Sequence, residues 1–99
     1  MSASLSTHVL DASVGGPRVG VTVTLRDESG AIVARGATDD YGRVAGLAQG
    51  LAAGDYQLIW ESDGDFLVAV SATLRLSEDR HYHVPLLASP VSAVVYLGT

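Results

Sequence analysis

The chain is a succession of short stretches in which apolar and polar residues alternate, the pattern of strands that bury one face. Leu5 to Leu10 sets Thr7 and Val9 against Ser6, His8 and Leu10, and the glycines and proline between Asp11 and Pro17 end it. Val19 to Arg26 is the cleanest case: Val19, Val21, Val23 and Leu25 are expected inside, and Gly20, Thr22, Thr24 and Arg26 outside. Glu28-Ser29-Gly30 turns into a third strand over Ala31 to Thr38, and Asp39-Asp40-Tyr41-Gly42 turns again before Arg43 opens a short fourth one.

Residues Gly46 to Gly54 lack a clear period and read as a helical turn or a loop. Tyr56 to Glu61 resumes alternation with Tyr56, Leu58 and Trp60 on one face. After the turn Asp63-Gly64-Asp65 a long strand is expected, with Phe66, Val68, Val70, Ala72, Leu74 and Leu76 sharing a face and Trp60 and Phe66 in the core. The polar loop Ser77 to Arg80 leads into His81-Tyr82-His83-Val84-Pro85-Leu86-Leu87, and beyond Ser89-Pro90 a last strand covers Val91 to Tyr96. Eight short strands separated by turns predict an all-β, antiparallel two-sheet sandwich, and 99 residues make one domain spanning 1–99.

The last two strands are apolar on both faces, whereas a sandwich core takes only one. Ala93, Val95 and Leu97 lie on one side, and Val94, Tyr96 and Gly98 on the other. The second face therefore calls for another subunit or a ligand.

Composition narrows the function. Six arginines, no lysine and eleven acidic residues give a net charge of −5, without the basic stripe that phosphate backbones require, so nucleic acid is not an expected partner. No cysteine is present, so neither disulfides nor a thiolate metal site is available, and an intracellular, cytoplasmic protein is expected. No apolar run reaches membrane-spanning length, and the first residues enter a strand pattern at once, which leaves no signal peptide and no membrane as a partner.

Chemistry concentrates in the His-x-His stretch. Alternation puts His81, His83, Pro85 and Leu87 on one face and Tyr82, Val84 and Leu86 on the other, so one face suits acid/base work and the other a core. His8 adds a third imidazole. Three nitrogens raise the possibility of a zinc site, but no carboxylate stands at a supporting spacing. Asp11, Asp39 and Asp40 read as turn formers, and Tyr41 as an exposed turn residue.

Three segments carry a resemblance: Leu5-Ser6-Thr7-His8-Val9-Leu10-Asp11, Thr38-Asp39-Asp40-Tyr41-Gly42-Arg43, and His81 to Pro90 with its HYHVPLL block. Together they resemble the transthyretin-related proteins, specifically the 5-hydroxyisourate hydrolases of urate (purine) catabolism, along nearly the whole chain. The resemblance implies a transthyretin-like sandwich and a homotetramer with sites in the channel where two dimers meet. It also implies a metal-independent cyclic amide hydrolase that needs no cofactor. By position the catalytic set is His8, Arg43 and His83, with Tyr96, Gly98, Thr99 and Pro85 around the small-molecule substrate. In that chemistry the two imidazoles handle water and leaving-group protons, and the guanidinium holds the developing oxyanion.

Two departures from the family pattern stand out. The usual Tyr-Arg-Gly-Ser ending is here Tyr96-Leu97-Gly98-Thr99, which bears on the substrate, and the helix usually found between Trp60 and Val70 is missing. Alternative functions are a divergent enzyme acting on another small heterocycle and a non-catalytic small-molecule binder. Retention of the whole His8, Arg43, His83 set favours an enzyme over the binder.

Overall fold

The computed structural model describes residues 2–99. Among the described residues nine strands form two sheets: β1 (Ala3–Asp11), β2 (Gly16–Pro17), β3 (Thr22–Arg26), β4 (Ile32–Ala37), β5 (Arg43–Leu51), β6 (Gly54–Glu61), β7 (Ala69–Leu76), β8 (His81–Ala88) and β9 (Ala93–Val95). One sheet runs β2-β1-β8-β9, with β5 also paired to β1, and the other runs β4-β3-β6-β7. No helix occurs among the described residues.

The alternation seen in the sequence becomes the core. Leu5, Val9, Val84 and Leu86 from one sheet face Val23, Leu25, Leu58 and Trp60 from the other, all buried. Thr7 shares that interior, where a polar group needs partners. Its Oγ1 donates to the Val84 carbonyl at 2.6 Å and accepts from the Trp60 indole N–H at 3.0 Å. One threonine thus joins β1 to β8 and to the opposite sheet, directly beneath the segment that carries His8.

Pairing is antiparallel throughout except between β1 and β8. These run parallel in unbroken register from Ser4 opposite His81 to Asp11 opposite Ala88. Because side chains of directly paired residues share a face, Ser4, Ser6 and His8 stand beside His81, His83 and Pro85 on the outer surface of the sheet.

Several expectations from the sequence need correction. Residues Arg43 to Leu51 form one strand rather than a short strand followed by a helical turn or loop. Its pairing to β1 shifts register twice, and Gly46 and Gly50 adopt φ of 61° and 65°, so extra residues interrupt the two-residue period that would have shown the strand. Val19 is exposed, not inside. Gly20 (φ 78°) turns the chain, and the buried Thr38 holds that turn, its Oγ1 accepting from Val21 N–H and donating to the Arg18 carbonyl.

Phe66 is likewise exposed, as is Val68, because β7 begins only at Ala69 and residues 62–68 form a connection whose Ser62 N–H bonds to the Val68 carbonyl. Trp60, by contrast, is in the core as expected, and Tyr41 is exposed at its turn.

Candidate active site on the outer face of one sheet

Across the outer face, β5, β1, β8 and β9 lie side by side, and two rows of paired residues cross them. The first row is Arg43, His8, Pro85: Arg43 pairs with His8 across β5 and β1, and His8 with Pro85 across β1 and β8. The antiparallel register of β9, carried past Val95, sets Tyr96 at the end of this row, Leu97 opposite Val84, and Gly98 opposite His83. The second row is therefore Ser6, His83, Gly98, closed by a hydrogen bond from Gly98 N–H to the His83 carbonyl at 2.7 Å. The three residues singled out in the sequence, 35 positions apart and more, are brought onto neighbouring strands of one surface.

His8 is held by the turn that precedes β5. Asp39 organises this turn, its Oδ1 accepting from the N–H groups of Tyr41 (2.9 Å) and Arg43 (3.0 Å), and these bonds hold its carboxyl below the usual carboxylate range. Gly42 is the tightest point. Its φ of 75° suits glycine, and a Cβ there would lie 2.4 Å from the Val9 carbonyl oxygen, which no side chain could tolerate. With the turn pressed against β1, the Tyr41 carbonyl lies 2.9 Å from His8 Nε2. A carbonyl can only accept, so Nε2 carries the proton, and neutral His8 presents its lone pair at Nδ1.

His83 is held differently. Its Nδ1 lies 2.8 Å from Ser6 Oγ, which also lies 2.8 Å from His81 Nε2; His81 Nδ1 in turn lies 2.6 Å from Ser4 Oγ. The ring is half-buried. Burial first, and then the electrostatic influence of His8, Arg43 and His81, lowers the His83 pKa below its ordinary value and favours the neutral ring. No carboxylate among the described residues is in ion-pair contact with the Arg43 guanidinium, leaving that cation available to an incoming oxygen.

The remaining predicted residues sort by position. Pro85 is buried against the chain end, since a Cβ on Gly98 would meet its ring at 3.1 and 3.2 Å. Tyr96 is half exposed and Thr99 exposed at the terminus. Asp11 serves its turn, accepting from Ser13 and Arg18, which lowers its pKa to about 2. The three histidines do not converge as a metal site: both nitrogens of His81 are engaged by Ser4 and Ser6. Among the described residues no group of three or more metal-binding side chains is assembled.

Ser4 and Ser6 escaped the sequence reading. Their signal was present in the alternation that put Ser6 on the His8 face, but only the register with β8 gives them histidine partners. The face is open. A concavity bordered by Arg18 to Thr22 and by residues 61–69 contains none of the cluster.

Residues 5–98 match the model of the HIUase/Transthyretin family. The chain belongs to this family. It is similar to a protein named 5-hydroxyisourate hydrolase from Caulobacter vibrioides, 37% identical over 114 aligned residues that cover 98% of this chain and 99% of that one. It is also similar to 5-hydroxyisourate hydrolase 2 of Rhizobium meliloti (strain 1021), at 34% identity over 117 residues, covering 99% and 98%. Among solved structures, a Klebsiella pneumoniae 5-hydroxyisourate hydrolase superposes with a TM-score of 0.87 at 34% identity, covering 98% of this chain and 99% of that chain. The alignments to the two relatives are longer than the 99 residues here, so this family member is compact, in keeping with its helix-free connection at 62–68.

Proposed function

We propose that this family member is a 5-hydroxyisourate hydrolase of urate catabolism, opening a cyclic amide by attack of water. The observation that carries the reading is the placement of Arg43, His8 and His83 on three adjacent strands, with an Arg43 guanidinium that no carboxylate among the described residues pairs. The near full-length similarity to proteins of that name supports it.

In this reading His83 takes the proton of the attacking water, and His8 orients the water or a ring N–H through its Nδ1 lone pair. Arg43 binds the carbonyl oxygen and stabilises the charge that develops there. The C–N bond of the ring then breaks, and the leaving nitrogen takes a proton. Pro85 and Gly98 back the His83 ring, while Tyr96 and Thr99 border the substrate. No step calls for a metal or cofactor.

The working unit is a homotetramer of single-domain chains (residues 1–99), with sites where two sheet faces meet. An open face does not enclose a substrate, and this one carries exposed Leu87, Val94 and Tyr96 beside the cluster. Light scattering at micromolar concentration should give about four chains, and a fully active monomer would remove the facing-sheet arrangement. A cytoplasmic location belongs to the same reading; the structure adds that no helix among the described residues is long and apolar enough to cross a membrane.

The deciding experiment follows freshly generated 5-hydroxyisourate by ultraviolet absorbance. Decay accelerated by catalytic amounts of protein supports the reading, and decay at the spontaneous rate ends it.

A further inference from the structure

We infer that Ser6 and His81 act as positioning residues behind His83, forming a reversible hydrogen-bond chain that lets this one imidazole take a proton and then offer one. The inference rests on the hydrolase reading for its kinetic consequence and on geometry alone for its existence.

The contrast between the two site histidines carries the argument. His8 Nε2 faces the Tyr41 carbonyl, an acceptor under every condition, so its tautomer is fixed. His83 Nδ1 faces the Ser6 hydroxyl, which both donates and accepts. A hydroxyl has one proton. With ring nitrogens at 2.8 Å on either side, Ser6 Oγ donates to one and accepts from the other. The tautomers of His83 and His81 are thereby coupled, and Ser4, at 2.6 Å from His81 Nδ1, extends the coupling to an exposed position.

The chain has two arrangements. In the first, His83 Nδ1–H donates to Ser6, Ser6 donates to His81 Nε2, and His81 Nδ1–H donates to Ser4. His83 Nε2 then bears a lone pair and accepts a proton. In the second, every donor is reversed: Ser4 donates to His81 Nδ1, His81 Nε2–H to Ser6, and Ser6 to His83 Nδ1. His83 Nε2 then bears a proton and donates it.

Conversion balances atom by atom. The proton that His83 Nε2 receives is matched by the Nδ1 proton moving to Ser6 Oγ, the Ser6 proton moving to His81 Nε2, the His81 Nδ1 proton moving to Ser4 Oγ, and the Ser4 proton leaving to solvent. One proton enters, one leaves, and no imidazolium persists.

Such a route suits this site because a charged His83 is disfavoured there. The charged or titratable groups around it are His8 from β1, Arg43 from β5, His81 on its own strand and the Tyr96 phenol on the segment after β9. Arg43 acts against an imidazolium, as does burial, and His8 and His81 add to this whenever they carry a proton on both nitrogens. A relay that discharges the ring keeps it ready for the next transfer.

The test combines nitrogen NMR with kinetics. In long-range proton–nitrogen spectra of histidine-labelled protein, His8 should show one protonated and one bare nitrogen, whereas both His83 nitrogens should have intermediate shifts from two exchanging tautomers. Ser6→Ala and His81→Phe should each collapse His83 to a single tautomer, and Ser6→Thr, which keeps the hydroxyl, should preserve the mixture. In turnover the first two variants should lose at least about tenfold in kcat with KM within about twofold, the lower end of what an acid/base function contributes, and Ser6→Thr should recover most of it.

Identical His83 spectra in wild type and Ser6→Ala, or an unchanged kcat in both disabling variants of an active enzyme, would overturn the chain. If the wild type shows the tautomer mixture but no hydrolysis of 5-hydroxyisourate, the chain stands and only the proposed substrate falls.

Discussion

Gly98 and His83 are bound to each other twice over: the glycine amide donates to the histidine carbonyl at 2.7 Å, and its Cα leaves so little room that a Cβ would sit 2.9 Å from the imidazole Cδ2. The absence of a side chain at position 98 is thus part of what places the ring. A methyl group there must displace His83 or lift the chain end from β8, and misplacement of a reacting group by less than an ångström is costly.

Gly98→Ala should accordingly lower kcat about tenfold while leaving the melting temperature nearly unchanged, because the contact lies outside the core. Turnover and thermal unfolding measured on the same sample check this. Wild-type activity in the variant would mean that the terminal segment does not set the ring's position.

Removal of His8, Arg43 or His83 should remove most activity and leave the fold intact, since all three stand on the outer face. Each alanine variant should lose on the order of 10²- to 10⁴-fold, mainly in kcat for the histidines, with an unchanged circular dichroism spectrum. His81→Ala should lose far less. Near wild-type turnover in His83→Ala would rule out the mechanism given above.

The pH response follows from two shifts of the same sign on groups of opposite charge type. The His83 pKa is lowered, so over a window extending down from about 6.5 the unfolded chain binds a proton that the native chain does not. Stability from this group therefore falls as pH drops through that window. Under the proposed mechanism, activity that needs the neutral ring should extend to lower pH than an ordinary imidazole would allow, which a pH–rate profile checks. Asp11, lowered to about 2, contributes stability above its unfolded value near 3.8 and loses it as pH falls toward 2.

Arg43→Gln removes one of the charges that depress His83, so its ring-proton titration by NMR should move to higher pH. A midpoint that stays put or falls would contradict the electrostatic part of this account. With three histidines in the chain, the resonances are readily assigned.

Leu97 lies opposite Val84, on the parity of the core-facing residues rather than that of His83, and is more than half exposed. An arginine at this position points away from the histidine row, and an exposed ion pair there contributes about 0–1 kcal/mol. Leu97→Arg should therefore change kcat/KM on 5-hydroxyisourate by no more than about threefold. A gain of about 100-fold or more would show that this protein is specialised for another substrate.

Much of the site was legible because it lies on strands that alternate cleanly: the parity of His8, His83, Pro85, Tyr96 and Gly98 read from the sequence is the parity observed. What escaped was set by interactions that leave no period. The bulges at Gly46 and Gly50 hid the length of β5, the Thr38 clasp drew Val19 out of strand pairing, and Phe66 fell in a connection rather than a strand. The roles of Ser4 and Ser6 were invisible for another reason: a hydroxyl acquires meaning only from what stands across the ladder.

The parallel pairing of β1 with β8 has a bearing on how the protein is made. It joins positions 77 residues apart, as in Ser4 with His81 and Ser6 with His83, so nearly the whole chain must be closed into a loop before the two strands meet. Contacts of such separation form slowly and late, whereas β6 and β7, joined by a short connection, are available early. During synthesis His8 emerges from the ribosome long before His83 and Gly98, which complete its surroundings. Until β8 has emerged, the nascent chain holds half of the cluster, with a β1 edge open to other strands.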